Sequence, residues 1–330
     1  MKQTKKAFYQ VNEYLSLWKK ALDDNVLNEN LKQKVKNASP YTKILDLGTG
    51  SGTQIRRNID ENLIANNGLI IGVDVNYDGL LSSKHDYELW AKENDYELIF
   101  TKCDSAVLNF KVSKNDFSCL IKLYNVSVYD LKSYRSIGQN FDLVNALSLF
   151  EHTDIEKSIK VVKNLMNDGA YLYAPINYNG ITQVRPLADD LSEQQDNNLM
   201  ELFNEILINT QNVGGVDYGQ SLCGDILPKI AKGLGFTIIG IEDSNWLITN
   251  KSSNYQKNAY EMFLNAIKTE LISANNNEQL KIKQKLEINC ELIESWYRSA
   301  LKNFKSGVGT FFCTNKDILI QKKLGVFNDN

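Results

Sequence analysis

Apolar and polar residues follow one another along the middle of the chain in the pattern of alternating strands and helices. Lys43–Leu47 and Leu69–Val75 are short, continuous apolar runs, which is typical of strands buried on both faces of a parallel sheet. Gln54–Ala65 lies between them and has helical periodicity, ending near the turn signal Asn66-Asn67-Gly68. The order predicts a βαβ unit with a right-handed crossover.

The same alternation continues to the end of the chain. Thr153–Glu156 fits a capping box that begins a helix, and Asn167–Gly169 is a signal for its end. Further strands are predicted at Phe141–Leu147, Ala170–Ile176, Phe236–Ile241 and Thr310–Ile320, the last of them antiparallel. Together with one further strand between residues 97 and 129, these six strands predict an α/β fold with a doubly wound, Rossmann-like, seven-stranded sheet.

Helical segments interrupt this core. Residues 1–37 carry apolar residues on one helical face, namely Phe8, Val11, Leu15, Trp18 and Leu22. Other helices are predicted at Leu199–Ile206, Tyr255–Ser273 and Glu278–Lys305. We expect one domain over 1–330, with a helical cap at 1–40, a cofactor-binding core at 41–176, a lid insertion at 177–224, and a C-terminal part at 225–330 whose helical insertion is 255–305.

The third strand of the core has two candidates after a predicted helix at Gly79–Glu93. Glu97–Lys102 leads to Asp104, which has the better distance from Asp74. Ile121–Tyr129 leads to Asp130, which has the better distance to the next strand. The spacing slightly favours Asp130, and both stay open.

Composition restricts the class of protein. The chain has 330 residues, 43% of them hydrophobic, and a formal net charge of −3, which predicts a folded domain without a positive field for nucleic acid. The five cysteines show no CxxC spacing and only two histidines are present, so we expect reduced thiols, a cytoplasmic location and no metal site. No apolar run reaches the roughly 18 residues of a membrane span, and no signal peptide is expected.

A glycine loop follows the first strand, with Gly48, Gly50 and Gly52 at every second position. Such a loop lets the chain turn sharply and lets a ligand approach the main-chain N–H groups. A phosphate-binding P-loop requires a lysine after the glycines, and none follows here. A dinucleotide fingerprint requires its third glycine five positions after the first, whereas here the interval is four.

The sequence Asp-Leu-Gly-Thr-Gly-Ser-Gly resembles motif I of class I S-adenosylmethionine-dependent methyltransferases. Phe141–His152 resembles the fourth-strand motif of the small-molecule branch, and Leu165–Tyr173 resembles the motif at the fifth strand, although it keeps only one glycine of LKPGG. The resemblance covers residues 40–176 and reaches 241 with Gly233–Phe236.

The resemblance implies S-adenosylmethionine as cofactor, with S-adenosylhomocysteine as product. Asp46 would serve the ammonium end or order the loop, and Asp74 would accept hydrogen bonds from both ribose hydroxyls. The implied cofactor-binding residues are Asp46, Gly48, Thr49, Gly50, Gly52, Asp74, Val75, Asp104, Asp130 and Asn145.

The implied reaction is in-line methyl transfer to oxygen, nitrogen or carbon of a small-molecule acceptor. His152 is the candidate general base, with a structural role at a helix or loop as the alternative. Arg185, Tyr178, Tyr218 and Trp246 are candidates to face the substrate. No membrane or nucleic-acid partner is expected, because there is no Asn-Pro-Pro-Tyr-like run, no Pro-Cys pair and no basic bias.

Two other functions fit the same glycine loop. One is a NAD(P)-dependent Rossmann oxidoreductase, and the other is a catalytically silent, methyltransferase-like binding protein. The intact loop and Asp74 argue against the silent protein. The acceptor and the oligomeric state are not predicted.

Overall fold

A computed structural model describes residues 27–102, 105–176, 179–189, 191–210, 212–213, 216–217, 222–252, 254–275 and 289–324. Within these residues the chain divides into two compact units. The first, which we call the sheet unit, takes in 27–176, 223–243 and 316–324. The second, which we call the insert unit, takes in the described parts of 179–222 and 244–315.

The strands and helices are numbered in chain order. The strands are β1 Tyr41–Leu47, β2 Ile64–Asp74, β3 Glu97–Phe100, β4 Leu108–Lys114, β5 Phe117–Asn125, β6 Phe141–Asn145, β7 Met166–Ile176, β8 Thr182–Arg185, β9 Asn212–Val213, β10 Val216–Asp217, β11 Phe236–Asp243, β12 Trp246–Ile248, β13 Thr310–Cys313 and β14 Lys316–Lys322. The helices are α1 Glu29–Asn37, α2 Thr53–Asp60, α3 Tyr77–Glu93, α4 Ile155–Lys163, α5 Glu193–Thr210, α6 Cys223–Gly233, α7 Asn254–Asn275 and α8 Cys290–Lys305.

The sheet unit is built on one sheet with the strand order β11-β14-β7-β6-β1-β2-β5-β4-β3. The five strands β5, β2, β1, β6 and β7 run parallel. The expected antiparallel last strand is confirmed, because β14 pairs antiparallel with both β7 and β11.

The prediction of seven strands is wrong, since nine strands pair in this sheet among the described residues. The two additional strands are β3 and β4, which extend the edge beyond β5 as antiparallel neighbours. In β4 only every second residue is apolar, namely Leu108, Phe110 and Val112. A search for continuous apolar runs therefore misses this strand, because its pattern is that of an amphipathic antiparallel strand.

The structure also decides which candidate is the third parallel strand. β5, which contains Ile121, pairs with β2 along its length, whereas β3 lies at the far edge. The prediction that slightly favours Ile121–Tyr129 as the third parallel strand is therefore correct for the strand. β5 nevertheless ends at Asn125, four residues short of the expected end.

Both faces of the sheet are covered by helices, which is why consecutive residues of the central strands are apolar. On β1, Ile44 and Leu45 point to opposite faces and both are fully buried. Ile44 packs in a cluster with residues of α1, α2 and α3, and Leu45 packs with residues of α4 and α6. This arrangement is the doubly wound architecture that the sequence predicts.

Helix starts are set by polar side chains that accept hydrogen bonds from exposed N–H groups of the first turn. Asn28 caps α1, Asn76 caps α3 and Asn289 caps α8. For α4 the predicted cap Thr153 is wrong by one position, because it is the Asp154 side chain that accepts from the N–H of Lys157.

Two predicted helix ends lie elsewhere. Helix α2 ends at Asp60 instead of Ala65, since Asn62 adopts a φ of 57° and the chain enters β2 at Ile64. Likewise α4 ends at Lys163, and Asn167–Gly169 belongs to β7, where the register with β6 shifts.

The insert unit has its own small sheet, in the order β12-β13-β8, together with α5, α7 and α8. The predicted strand Thr310–Ile320 is two strands: β13 belongs to this small sheet and β14 to the large one. Trp246, Tyr260, Phe263 and Phe311 form an aromatic centre, with the Phe263 and Phe311 rings stacked at 4.9 Å between centroids.

Some predicted elements fall outside the described residues. These are the helix carrying Phe8 to Leu22 and the first part of Glu278–Lys305, residues 278–288. The helical insertions at 177–224 and 255–305 contain α5, α7 and α8, but their role as a lid stays a prediction, and so does the single-domain organisation. Among the residues described, no helix has the length and apolar character that crossing a membrane requires.

Asp142 joins three strands at the edge of the sheet where β1 begins. One carboxylate oxygen accepts hydrogen bonds from the N–H groups of Thr42 and Lys43 at 3.0 Å each and from the Thr42 hydroxyl at 2.6 Å. The other accepts from Nδ2 of Asn167 at 2.7 Å. Burial raises the pKa of Asp142, but these hydrogen bonds outweigh burial, so its pKa lies below its usual value.

We expect Asp142→Asn to lower the free energy of unfolding by about 1–3 kcal/mol at pH 7, because an amide nitrogen then faces N–H groups that need an acceptor. Because the folded-state pKa is lowered, the stabilisation is present at neutral pH and is lost as pH falls through that pKa. Urea unfolding of wild type and variant should therefore differ at pH 7 and converge only as the pH falls below the lowered pKa of Asp142. Asp116→Asn, at an exposed position, is the control and should match wild type throughout.

Candidate active site

The glycine loop, residues 48–52, leaves the carboxyl end of β1 and enters α2. Gly48, Gly50 and Gly52 have φ values of 66°, 50° and 76°, a region that residues with a side chain rarely adopt. The N–H of Thr49 donates to the carbonyl of Val73 at 3.0 Å, which ties the loop to the end of β2. The turn that the sequence predicts is therefore made by positive-φ residues.

Close packing adds a second requirement for glycine at two of these positions. A Cβ on Gly52 would lie 1.9 Å from the hydroxyl oxygen of Tyr87, and one on Gly48 would lie 3.3 Å from Cδ1 of Leu149. The first distance excludes any side chain unless Tyr87 moves. The packing thus excludes a side chain at Gly52 and mildly opposes one at Gly48.

Asp74, the last residue of β2, holds the loop from the neighbouring strand. Its Oδ2 accepts from the N–H of Gly50 at 2.8 Å and its Oδ1 accepts from the N–H of Asn76 at 2.9 Å. Asn125, at the end of β5, donates from Nδ2 to the Asp74 carbonyl at 3.0 Å. Val75 follows with 72% of its surface exposed, beside the loop-bound carboxylate.

Asp46 and Asn145 lie side by side at the carboxyl ends of β1 and β6, where they are register partners. Both are almost fully buried, at 2% and 1% exposure. Asn145 donates from Nδ2 to Oδ1 of Asn58 at 3.4 Å, and Asn58 also accepts from Gln54 at 2.9 Å. Two polar side chains therefore reach the edge of the sheet beside the glycine loop.

Several buried polar atoms of this region have no hydrogen-bond partner among the described residues. They include Oγ1 of Thr49, Oδ1 of Asn145, Nδ2 of Asn58 and the hydroxyl of Tyr87. Unpaired polar atoms in a protein interior are costly, so such atoms mark places where a ligand or water completes the hydrogen bonding.

The position of these residues in the sheet is that of a ligand site. From β1 the chain adds β2 and β5 on one side and β6 and β7 on the other, so the strand order reverses between β1 and β6. Open α/β sheets bind ligands beyond the carboxyl ends of strands at such a reversal. Asp46, the glycine loop, Asp74 and Asn145 all lie at that edge.

The structure describes one of the two remaining predicted acids. Asp130 is exposed in a 3-10 helix, Val128–Ser133, and Asn125 is the residue in register with Asp74. Ser127 ends the extended segment because its side chain accepts from the N–H of Tyr129 and starts the 3-10 helix. Asp104 lies outside the described residues.

His152 ends a second 3-10 helix, Phe150–His152, in the segment after β6. Its side chain is exposed, whereas Glu151 and Thr153 on either side are buried. Desolvation by nearby protein atoms lowers the pKa of His152 from about 6.5, so the imidazole is neutral at pH 7.

The candidates for substrate contact lie in the insert unit or outside the described residues. Trp246 is a core residue with 2% exposure, so the expectation that it faces a substrate is wrong. Arg185 lies 3.6 Å from the buried carboxylate of Asp196 through Nη1 and Oδ2, which gives its charge a partner within the unit. Tyr178 and Tyr218 lie outside the described residues.

Sequence reasoning missed four residues that shape the site: Arg56, Asn58, Tyr87 and Asn125. The sequence contains a signal for Asn58. Gln54 and Asn58 are one helical turn apart on α2, and each comes directly before an isoleucine of the buried face, Ile55 or Ile59. No local signal marks Tyr87, whose contact with Gly52 depends on how α3 packs. Across the part of the chain that the structure describes, no three His, Cys, Asp or Glu residues are grouped to hold a metal ion.

No protein-family model matches this chain. No curated protein matches it.

Solved structures do match. One is a protein from Bacillus halodurans described as a candidate methyltransferase, with 9% identity and a TM-score of 0.46, covering 89% of this chain and 98% of that one. Another, from Galdieria sulphuraria, is described as a candidate sarcosine dimethylglycine methyltransferase, with 12% identity and a TM-score of 0.42, covering 89% and 83%.

A third match is phosphoethanolamine N-methyltransferase 2 from Haemonchus contortus, solved with phosphomonomethylethanolamine and S-adenosylhomocysteine. It is 15% identical with a TM-score of 0.38, and the alignment covers 90% of this chain and 53% of that one. The descriptions of all three name methyltransferases, the class that the sequence motifs resemble.

We expect Gly52→Ala to lower the free energy of unfolding by about 3 kcal/mol or more, since the left-handed φ and the clash with Tyr87 both oppose a methyl group. Gly48→Ala, with only the 3.3 Å contact to Leu149, should cost about 1–2 kcal/mol. Urea unfolding at pH 7 measures both.

The control is Gly233→Ala, at the end of α6. A Cβ there meets no atom within 4 Å, and the variant should equal wild type or gain up to about 1 kcal/mol. A Gly52→Ala protein as stable as the control would contradict the packing described for the loop.

Proposed function

We propose that this protein is a class I S-adenosylmethionine-dependent methyltransferase that acts on a small molecule in the cytoplasm. The observation that carries the proposal is the juxtaposition of the glycine loop with Asp74. The carboxylate at the end of β2 meets the N–H of Gly50 at 2.8 Å, at the edge where the strand order reverses. The motif resemblance gives this arrangement its chemical interpretation.

The residues at this edge fit the proposed cofactor. The positive-φ glycines carry no side chain, so a ligand can approach the loop backbone closely. Oγ1 of Thr49 and Oδ1 of Asn145 are buried polar atoms of the site that lack hydrogen-bond partners among the described residues, and a polar ligand would complete their hydrogen bonding. We propose that Asp74 binds the ribose hydroxyls, Asp46 the ammonium end, and Asn145 the methionine part.

S-adenosylmethionine, when bound, supplies an electrophilic methyl group on a positively charged sulfur. The work of the chain would be to bind and orient the two reactants and to exclude water, since methyl transfer depends largely on proximity and alignment. His152 would accept the proton of an acceptor that must lose one, because its imidazole is exposed and its pKa is lowered.

Binding measurements test the donor. We expect calorimetry of the purified protein to show binding of S-adenosylhomocysteine with a Kd in the range of about 1–100 μM and no comparable binding of NAD. Asp74→Asn should weaken the binding of S-adenosylhomocysteine at least about tenfold, because the amide loses an acceptor for hydroxyl and N–H donors. Asp116→Asn, at an exposed site between β4 and β5, should bind as wild type does.

The two rival functions give different results in the same titrations. Micromolar binding of NAD alone would replace the methyltransferase with the oxidoreductase. Absence of heat with both S-adenosyl ligands would leave the silent binding protein. If the protein binds S-adenosylhomocysteine but methylates no acceptor, its cofactor site is intact and its function is binding without catalysis.

The role of His152 has a pH signature. Because its pKa is lowered, a base at this position becomes active as pH rises through a value below about 6.5 and stays active above it. Using the first small-molecule acceptor that turns over, we expect His152→Gln to reduce the rate about hundredfold or more and to remove that rise.

His85→Gln is the matched control, since His85 is an exposed histidine on α3. It should leave rate and pH profile unchanged. A His152→Gln protein with a wild-type pH profile would assign His152 a structural role.

A further inference from the structure

Tyr87 lies directly beneath the last glycine of the loop. The side chain comes from α3, is fully buried and packs edge-on against Phe110 at 4.8 Å between ring centroids. Its hydroxyl is so close to Gly52 that no Cβ fits between them. That hydroxyl has no hydrogen-bond partner among the described residues, so a polar atom is held against the loop backbone.

Arg56 holds the same part of the loop from the other direction. Its Nη1 donates to the carbonyl of Ser51 at 2.8 Å, and its Nη2 donates to the hydroxyl of Thr53 at 3.2 Å. The guanidinium carbon lies 5.4 Å from the centroid of the Tyr87 ring. One arginine therefore contacts the loop backbone and the aromatic ring that supports it.

These contacts fix the peptide plane between Ser51 and Gly52 at both ends. The Ser51 carbonyl accepts from Arg56, and the Gly52 N–H donates to the carbonyl of Thr49 at 2.8 Å. A glycine peptide can otherwise rotate between conformations at little cost. Gly52, as the first residue before α2, also has no side chain to cap that helix.

We propose that Arg56 and Tyr87 are positioning residues that hold residues 51–53 in the one loop conformation that binds the S-adenosyl ligand. This inference rests on the proposed function for its ligand. Neither side chain needs to touch that ligand, because both act through Ser51, Gly52 and Thr53. Their contribution is preorganisation: a loop that is already ordered loses less entropy when the ligand binds.

The variants separate the two contacts. Arg56→Met removes the donors and keeps much of the side-chain volume, whereas Arg56→Lys keeps the charge but not the fork that reaches both Ser51 and Thr53. Tyr87→Phe removes only the hydroxyl against Gly52. The matched controls are Arg298→Gln, in an exposed turn of α8, and Tyr260→Phe, a buried tyrosine of the insert unit whose hydroxyl also lacks a partner among the described residues.

Two readouts are taken on each protein, together with its thermal midpoint. The first is amide hydrogen exchange of Gly52 and Arg56 in the protein without ligand, which reports on the loop itself. The second is the Kd for S-adenosylhomocysteine by calorimetry. We expect exchange about tenfold faster and binding about tenfold weaker in Arg56→Met, about threefold changes in Tyr87→Phe, and partial recovery in Arg56→Lys.

A purely structural role predicts another result. It would lower the thermal midpoint while leaving loop exchange and affinity at wild-type values, and that outcome, or variants identical to the two controls, would overturn the proposal. If wild type fails to bind S-adenosylhomocysteine, the proposed function fails. The exchange data then decide alone whether Arg56 and Tyr87 order the loop.

Discussion

The site depends on one constraint: β1 is buried on both faces, and the chain must reverse at once where it ends. Ile44 and Leu45 are fully buried on opposite sides, because helices cover both faces of the sheet. The reversal needs a positive φ at three residues, and glycine alone adopts such a φ without strain. Three positions of the loop thereby carry no side chain, at the edge where neighbouring strands deliver Asp74 and Asn145.

Contacts that hold the loop backbone come from three separate elements. Asp74 contributes from β2, Arg56 from α2 and Tyr87 from α3. All three act on the loop backbone, whose conformation is thus over-determined. Strained or unusual backbone is kept at functional sites when the surrounding structure fixes it in this way.

Much of this arrangement could be predicted because its signals are local. Continuous apolar runs predict β1, β2 and β6, and alternate glycines predict the loop. The missing parts depend on tertiary contacts. The partner of Gly52 is a tyrosine 35 positions away. The extended segment after β5 ends at Ser127, whose side chain accepts a hydrogen bond from the N–H of Tyr129. Val126 and Val128 flank Ser127, so the apolar pattern alone does not indicate this end. For that reason the sequence predicts a strand end beside Asp130 instead of at Asn125.

The strand order has a consequence for synthesis. β14 lies between β7 and β11, and it is the only partner of β11 in the large sheet as far as the described strands show. Since residues 316–322 are translated 73 positions after β11 ends at Asp243, β11 must wait without a sheet partner while the insert unit is made. The large sheet is therefore completed only after its C-terminal strand, β14, has been synthesised. A ribosome paused before residue 316 would carry a nascent chain in which the glycine loop can form but β7 still has an open edge.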